Sequence, residues 1–121
     1  MMIGANDLAV LTIYMTTAGK ASRNVSALIG AIREADGVVL ASPGYHGSIP
    51  GMMKNAIDFF EETAADPRPY LTDLPVGLIA VASGYQATVS TLETLRPIVH
   101  VLRGWPTPFG ATINTCVTAL S

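Results

Sequence analysis

The chain reads as a single α/β domain built on a parallel sheet with flanking helices. Short, wholly apolar runs such as Val38–Ala41 and Val76–Ala82 have the pattern of strands buried on both faces. Segments with apolar residues at helical spacing alternate with them, so the order is helix, strand, loop, helix, strand, loop, helix, strand. Each of the two runs leads into a glycine-containing polar loop, the place where open parallel sheets bind ligands.

Taken in order, Leu8–Tyr14 is rich in apolar and β-branched residues and predicts a strand. A helix follows, with Val25, Leu28, Ile29 and Ile32 on one face, Ser22 or Asn24 as cap, and Asp36-Gly37 as its stop. Val38–Ala41 is the next strand and Ser42–Ile49 the loop after it. Pro50 can open the following helix, where a missing N–H costs nothing. That helix is expected to reach about Ala65, with Met52, Met53, Ala56, Ile57 and Phe60 as its apolar stripe and Lys54 paired with Asp58.

The proline-rich stretch Asp66–Pro75 is a connection. Val76–Ala82 is a strand, and Ser83–Thr88 (SGYQAT) a second polar loop. Ser90 and Glu93 fit a capping box for a helix ending near Arg103, kinked at Pro97 and stopped by Gly104. Trp105–Pro108 reads as a turn and Phe109–Cys116 as the last strand.

Composition narrows the function. A chain of 121 residues is most simply one domain, and 50% apolar with 13% charged residues argues against disorder. The net charge of −2 offers no footprint for nucleic acid and no polybasic patch for a membrane surface. No apolar run approaches the ~18 residues of a membrane span. The opening MMIGANDLAV lacks the basic start of a signal peptide. The single Cys116 excludes an intrachain disulfide and a multi-cysteine metal site, and reads as a small buried residue. A soluble cytoplasmic protein is expected. His46 has no second ligand near it in sequence, so no metal site is assigned. His100, among Ile98, Val99, Val101 and Leu102, reads as core or interface.

The loops SPGYHGS and SGYQAT combine glycines that admit a ligand to the backbone, hydroxyl and amide groups to bond it, and a tyrosine to cover a ring. That set suits a planar heterocycle with polar edges. It holds no carboxylate pair and no nucleophile–base arrangement, so no catalytic side chain is assigned. The glycines also have a plainer reading, as requirements of a tight strand-to-helix turn.

The block SPGYHGSIPGMMKNAIDFF, from Ser42 to Phe60, resembles the signature of the NADPH-dependent FMN reductase family. That signature runs roughly S-P-E-Y-N-G-S-I-P-G-x-L-K-N-A-I-D-W. Gly44 stands where the family has Glu, and His46 where it has Asn. READGVVLASP, VGLIAVASG and GWPTPFG are also similar to the family. The resemblance implies a flavodoxin-like fold and bound FMN. Pro43, Gly44, Tyr45, His46, Gly47 and Ser48 would follow the isoalloxazine and ribityl edge, and Ser83, Gly84, Tyr85 and Gln86 the pyrimidine side. It implies hydride transfer from NADPH to FMN and on to a small-molecule electron acceptor, in a homodimer or tetramer with Met52, Met53, Phe59 and Phe60 at the subunit contact.

The family's opening strand and phosphate loop, G-S-x-R-x-x-S-x-N, have no counterpart here, and Asp7–Tyr14 aligns with a later D-L-x-x-L-P-I-Y segment. The expectation is therefore a partial flavodoxin-like domain over 1–121, without the first strand and the last helix. A rival reading makes Thr16, Thr17, Lys20 and Ser22 a phosphate loop after Leu8–Tyr14. The functional alternatives are a non-catalytic interaction module that does not retain FMN, and a flavin-binding electron carrier that does not use NADPH directly.

Overall fold

The computed structural model describes residues 2–3 and 23–117. The expected strand Leu8–Tyr14, the rival phosphate loop and the Ser22 cap lie outside the described residues. In chain order the elements are β1 (Met2–Ile3), α1 (Arg23–Glu34), β2 (Val38–Pro43), α2 (Gly51–Asp58), β3 (Pro75–Ala82), α3 (Tyr85–Val101) and β4 (Trp105–Asn114). A 3-10 turn over Phe59–Thr63 extends α2. All strands are parallel, in spatial order β1-β2-β3-β4.

Because that order follows the chain, right-handed crossovers put α2 and α3 on the same face of the sheet. Burial agrees. Val38, Leu40 and Ser42 of β2, and Val76, Leu78, Ala80 and Ala82 of β3, are buried. Of these, Val38, Leu40, Val76, Leu78 and Ala80 share one core with Val25, Ile29 and Ile32 of α1, Met53, Ala56 and Ile57 of α2, and Leu92, Leu95 and Val99 of α3. The alternate residues Val39, Ala41, Ile79 and Val81 are half-buried, so among the described residues these strands are buried most fully on one face.

Several boundaries differ from the sequence expectation. α1 already includes Asn24, which is a helical residue and not its cap. The helix after Pro50 tightens to 3-10 geometry at Phe59, and this turns Phe59, Phe60 and Thr63 inward. Met53, Phe59 and Phe60 are therefore core; of the residues expected at a subunit contact, Met52 alone is exposed. The Lys54–Asp58 pair forms as expected, at 2.6 Å.

α3 begins at Tyr85, so Ser90 lies inside it and caps nothing; its carbonyl accepts a hydrogen bond from Thr94 Oγ1 at 2.9 Å. Trp105–Pro108 is not a turn but the first part of β4. The strand absorbs its prolines through a bulge, pairing Val76 with Pro106 and Leu78 with Gly110. Arg96 of α3 secures the bulge by donating to the carbonyls of Thr107 at 2.9 Å and Pro108 at 3.1 Å. His100 and Cys116 are exposed, not packed inside.

The connection between α2 and β3 also holds α1. Arg68 donates to the carbonyls of Ile32, Arg33 and Ala35 at 2.8, 2.7 and 3.0 Å, satisfying oxygens that the end of α1 leaves open. Arg33 pairs with Asp66 at 2.7 Å. That hydrogen bond raises the guanidinium's affinity for its proton.

Candidate functional site

The loop after β2 is a tight reverse turn. Tyr45 and Ser48 exchange backbone hydrogen bonds, Tyr45 N–H to Ser48 O at 2.9 Å and Ser48 N–H to Tyr45 O at 3.1 Å. Between them His46 has φ 50° and Gly47 φ 87°. Two central residues with positive φ make a type I′ turn, for which Asn-Gly is the preferred sequence. Histidine is among the few other residues that enter this region readily, which accounts for His46 in a place where asparagine would be expected.

Gly44 joins this turn to the rest of the fold. Its N–H bonds Val81 O at 2.9 Å, carrying the β2–β3 ladder one step past the strand. A Cβ at Gly44 would lie 2.4 Å from Thr91 Oγ1 and 3.2 Å from Ala87 O. The loop thus rests directly on the N-terminal half of α3, and only a residue without a side chain permits that approach. The glutamate of the family signature does not fit here while Thr91 faces the same point.

The second loop is shorter than the sequence suggested, only Ser83 and Gly84. Gly84 has φ 120° and ψ 145°, a region essentially reserved for glycine. It lets the chain turn from β3 straight into α3, whose N-terminus has no side-chain cap. Tyr85 and Gln86, expected on a loop, sit in the first helical turn, where backbone N–H groups point outward and favour electron-rich ligand atoms.

Between the two loops is a cleft of about 450 Å³ lined by Gly47, Ser83, Gly84, Tyr85, Gln86, Ala87 and Ser90. The structure brings Gly47, Ser83, Gly84, Tyr85 and Gln86 together here. Pro43 ends β2, and Gly44, Tyr45, His46 and Ser48 belong to the same loop as Gly47, but none of the five forms the walls. Ala87 and Ser90 are additional lining residues. They were hidden because the helix starts earlier than its apparent capping box; a start at Tyr85 puts Gln86 and Ser90 four apart, on one face.

The cleft is open beside both glycine backbones: a Cβ at Gly47 or at Gly84 would meet nothing within 4 Å. Tyr45 and Tyr85 are 60% and 61% exposed, leaving two phenol rings free at this end of the sheet. The described residues contain no cluster of metal-ligating side chains.

A second groove, about 320 Å³, lies at the other end of α3, floored by Ile57, Pro97, Ile98, Val101 and Leu102 and rimmed by Lys54, Asp58 and Glu61. It is remote from the strand ends that form the cleft.

The family model for NADPH-dependent FMN reductase matches residues 2–115. The chain belongs to that family. The FMN-dependent NADPH-azoreductase of Staphylococcus saprophyticus is 36% identical over 109 residues, covering 84% of this chain and 54% of that protein. A quinone reductase of Escherichia coli K12 is 49% identical over a shorter stretch of 43 residues, which covers 36% of this chain and 23% of the enzyme. Among solved structures, the flavoenzyme NAD(P)H:(acceptor) oxidoreductase FerB of Paracoccus denitrificans superposes with a TM-score of 0.70 at 22% identity, over 85% of this chain and 57% of that one. This last likeness establishes the flavodoxin-like fold. The chain spans about half the length of the curated relatives it matches.

Proposed function

We propose that this chain forms the flavin-ring site of an FMN-dependent NAD(P)H oxidoreductase acting on a small-molecule acceptor. The observation that carries the reading is the cleft where the signature's type I′ turn meets the uncapped start of α3, walled by Gly47 and Gly84. Family membership and the azoreductase and quinone reductase names of the relatives support it.

In this reading the loop ending at Ser48, which reaches the cleft through Gly47, would follow the isoalloxazine and ribityl edge of FMN, and Ser83–Gln86 the pyrimidine side. The N–H groups of the first turn of α3 would offer partial positive charge to the electron-rich atoms of the ring. The chemistry that FMN supplies when bound is acceptance of hydride from NADPH and delivery of electrons to an acceptor. Tyr85 is the one acid–base side chain among the cleft walls, and hydride transfer itself requires none. The protein's contribution is orientation of the rings and exclusion of water from one side.

The reading extends to a cytoplasmic homodimer. Val101, 79% exposed beside the apolar groove of α2 and α3, suits a subunit contact better than the core residues Met53, Phe59 and Phe60. No helix among the described residues is long and apolar enough to cross a membrane.

The test is anaerobic addition of NADPH to the purified chain loaded with FMN. Bleaching of the flavin absorbance, and its return on adding a quinone or azo dye, is expected. Flavin that binds but stays oxidised would make the chain a carrier rather than a reductase; protein that never takes up FMN would favour the non-catalytic module.

A further inference from the structure

Asn114 closes β4 opposite Ala82, the last residue of β3. It is only 6% exposed, in a strand whose other residues are at least partly open. Its Oδ1 accepts two backbone hydrogen bonds, from Gly84 N–H and from Cys116 N–H, each 3.0 Å long. Both partners are donors, so the amide's orientation is fixed: the oxygen faces them and the NH2 cannot. Around it, Thr115 N–H donates to Ala82 O at 2.9 Å, and Ser83 Oγ lies 2.9 Å from Cys116 Sγ. The turn after β4 and the turn after β3 are thereby laced together, with Asn114 as the buried tie.

The tie acts on the residue that matters for the cleft. Gly84 holds a left-sided backbone conformation that nothing local enforces, since glycine is free to leave it and α3 has no capping side chain. Its peptide orientation decides where the next N–H groups, those of Tyr85, Gln86 and Ala87, are aimed. An acceptor placed 3.0 Å from Gly84 N selects one orientation and removes the alternatives before any ligand arrives.

We infer that Asn114 is a positioning residue for the ligand cleft: it fixes the Ser83–Gly84 turn so that the start of α3 presents its N–H groups to the pyrimidine edge of a flavin. The assignment of the ligand rests on the function proposed above; the fixing of the turn does not.

The experiment compares wild type with Asn114→Ala, which removes the acceptor, and Asn114→Asp, which keeps both acceptor bonds. FMN affinity, the visible spectrum of bound flavin and amide hydrogen exchange at Gly84 and Cys116 are measured together. Asn114→Ala is expected to weaken FMN binding about tenfold, the effect of losing one well-placed hydrogen bond to a buried group, while Asn114→Asp stays within about threefold. Exchange at Gly84 and Cys116 should quicken in the alanine variant alone. Folded Asn114→Ala with wild-type FMN affinity and spectrum overturns the inference, even if its melting temperature falls, because that is a structural role only. If Asn114→Ala does not fold, Asn114→Ser, too short to reach Gly84, takes its place. If wild type itself does not bind FMN, the flavin reading fails, and exchange at Gly84 still decides whether Asn114 fixes the turn: unchanged rates refute it.

Discussion

Replacing Gly44 with alanine sets a methyl carbon 2.4 Å from Thr91 Oγ1 and 3.2 Å from Ala87 O, so something must move. Neither side gives way cheaply. The Gly44 N–H is bonded to Val81 O at 2.9 Å, and the buried Thr91 hydroxyl donates to Ala87 O at 2.8 Å on a rigid helix. Inserting a methyl into such a contact costs about 1–3 kcal/mol. The backbone is not the obstacle, because Gly44 is not among the residues with positive φ. Alanine there should otherwise add about 0.4–1 kcal/mol by restricting the unfolded chain. The two terms separate in a double-mutant cycle with Thr91→Ala, which deletes the clashing atom. Measured by urea denaturation, Gly44→Ala should destabilise the wild-type background. In the Thr91→Ala background the cost should shrink to what the remaining Ala87 O contact imposes, for a coupling of about 1–3 kcal/mol. Equal costs in both backgrounds would refute the claim that the loop is seated on α3 at this point.

Other expectations follow from the same geometry. His46→Asn should leave stability unchanged or slightly raised, whereas His46→Val, a β-branched residue forced to positive φ, should cost about 1–2 kcal/mol by thermal or urea unfolding. Arg96→Ala, which frees the carbonyls of the β4 bulge, should cost about 1–2 kcal/mol, and amide exchange around Thr107–Gly110 should quicken in the same variant. Val101→Lys should leave the fold intact by circular dichroism and shift a homodimer toward monomer in sedimentation velocity; a dimer of wild-type strength would remove the α2–α3 groove from the interface.

How much of this was legible beforehand depended on whether the signal was local. The strands Val38–Ala41 and Val76–Ala82 could be read because an apolar run between glycine and proline breaks has few other folds open to it. The type I′ turn was visible only as glycine and tyrosine in a loop; that His46 takes a left-handed conformation shows in the backbone, not in its identity. The start of α3 was missed because Ser90 and Glu93 mimic a cap, while the true start follows Gly84 without a side-chain cap. Trp105–Pro108 looked like a turn because prolines usually end strands, and a bulge held by Arg96, distant in sequence, overrode that preference. Phe59 and Phe60 were expected at a subunit contact only through the family resemblance, whereas periodicity already put Phe60 on the apolar stripe; the tightening to 3-10 geometry buries both. Asn114 gave no sign, since its significance comes from a residue thirty positions away.

The central claim is that the cleft between the two loops holds a flavin ring. Titrating FMN against the purified chain, with its mass and folded state verified, tests this most directly. Saturable, stoichiometric quenching of flavin fluorescence with a shifted visible spectrum is expected. Folded wild-type protein that leaves FMN with the fluorescence of the free molecule at every concentration would contradict it.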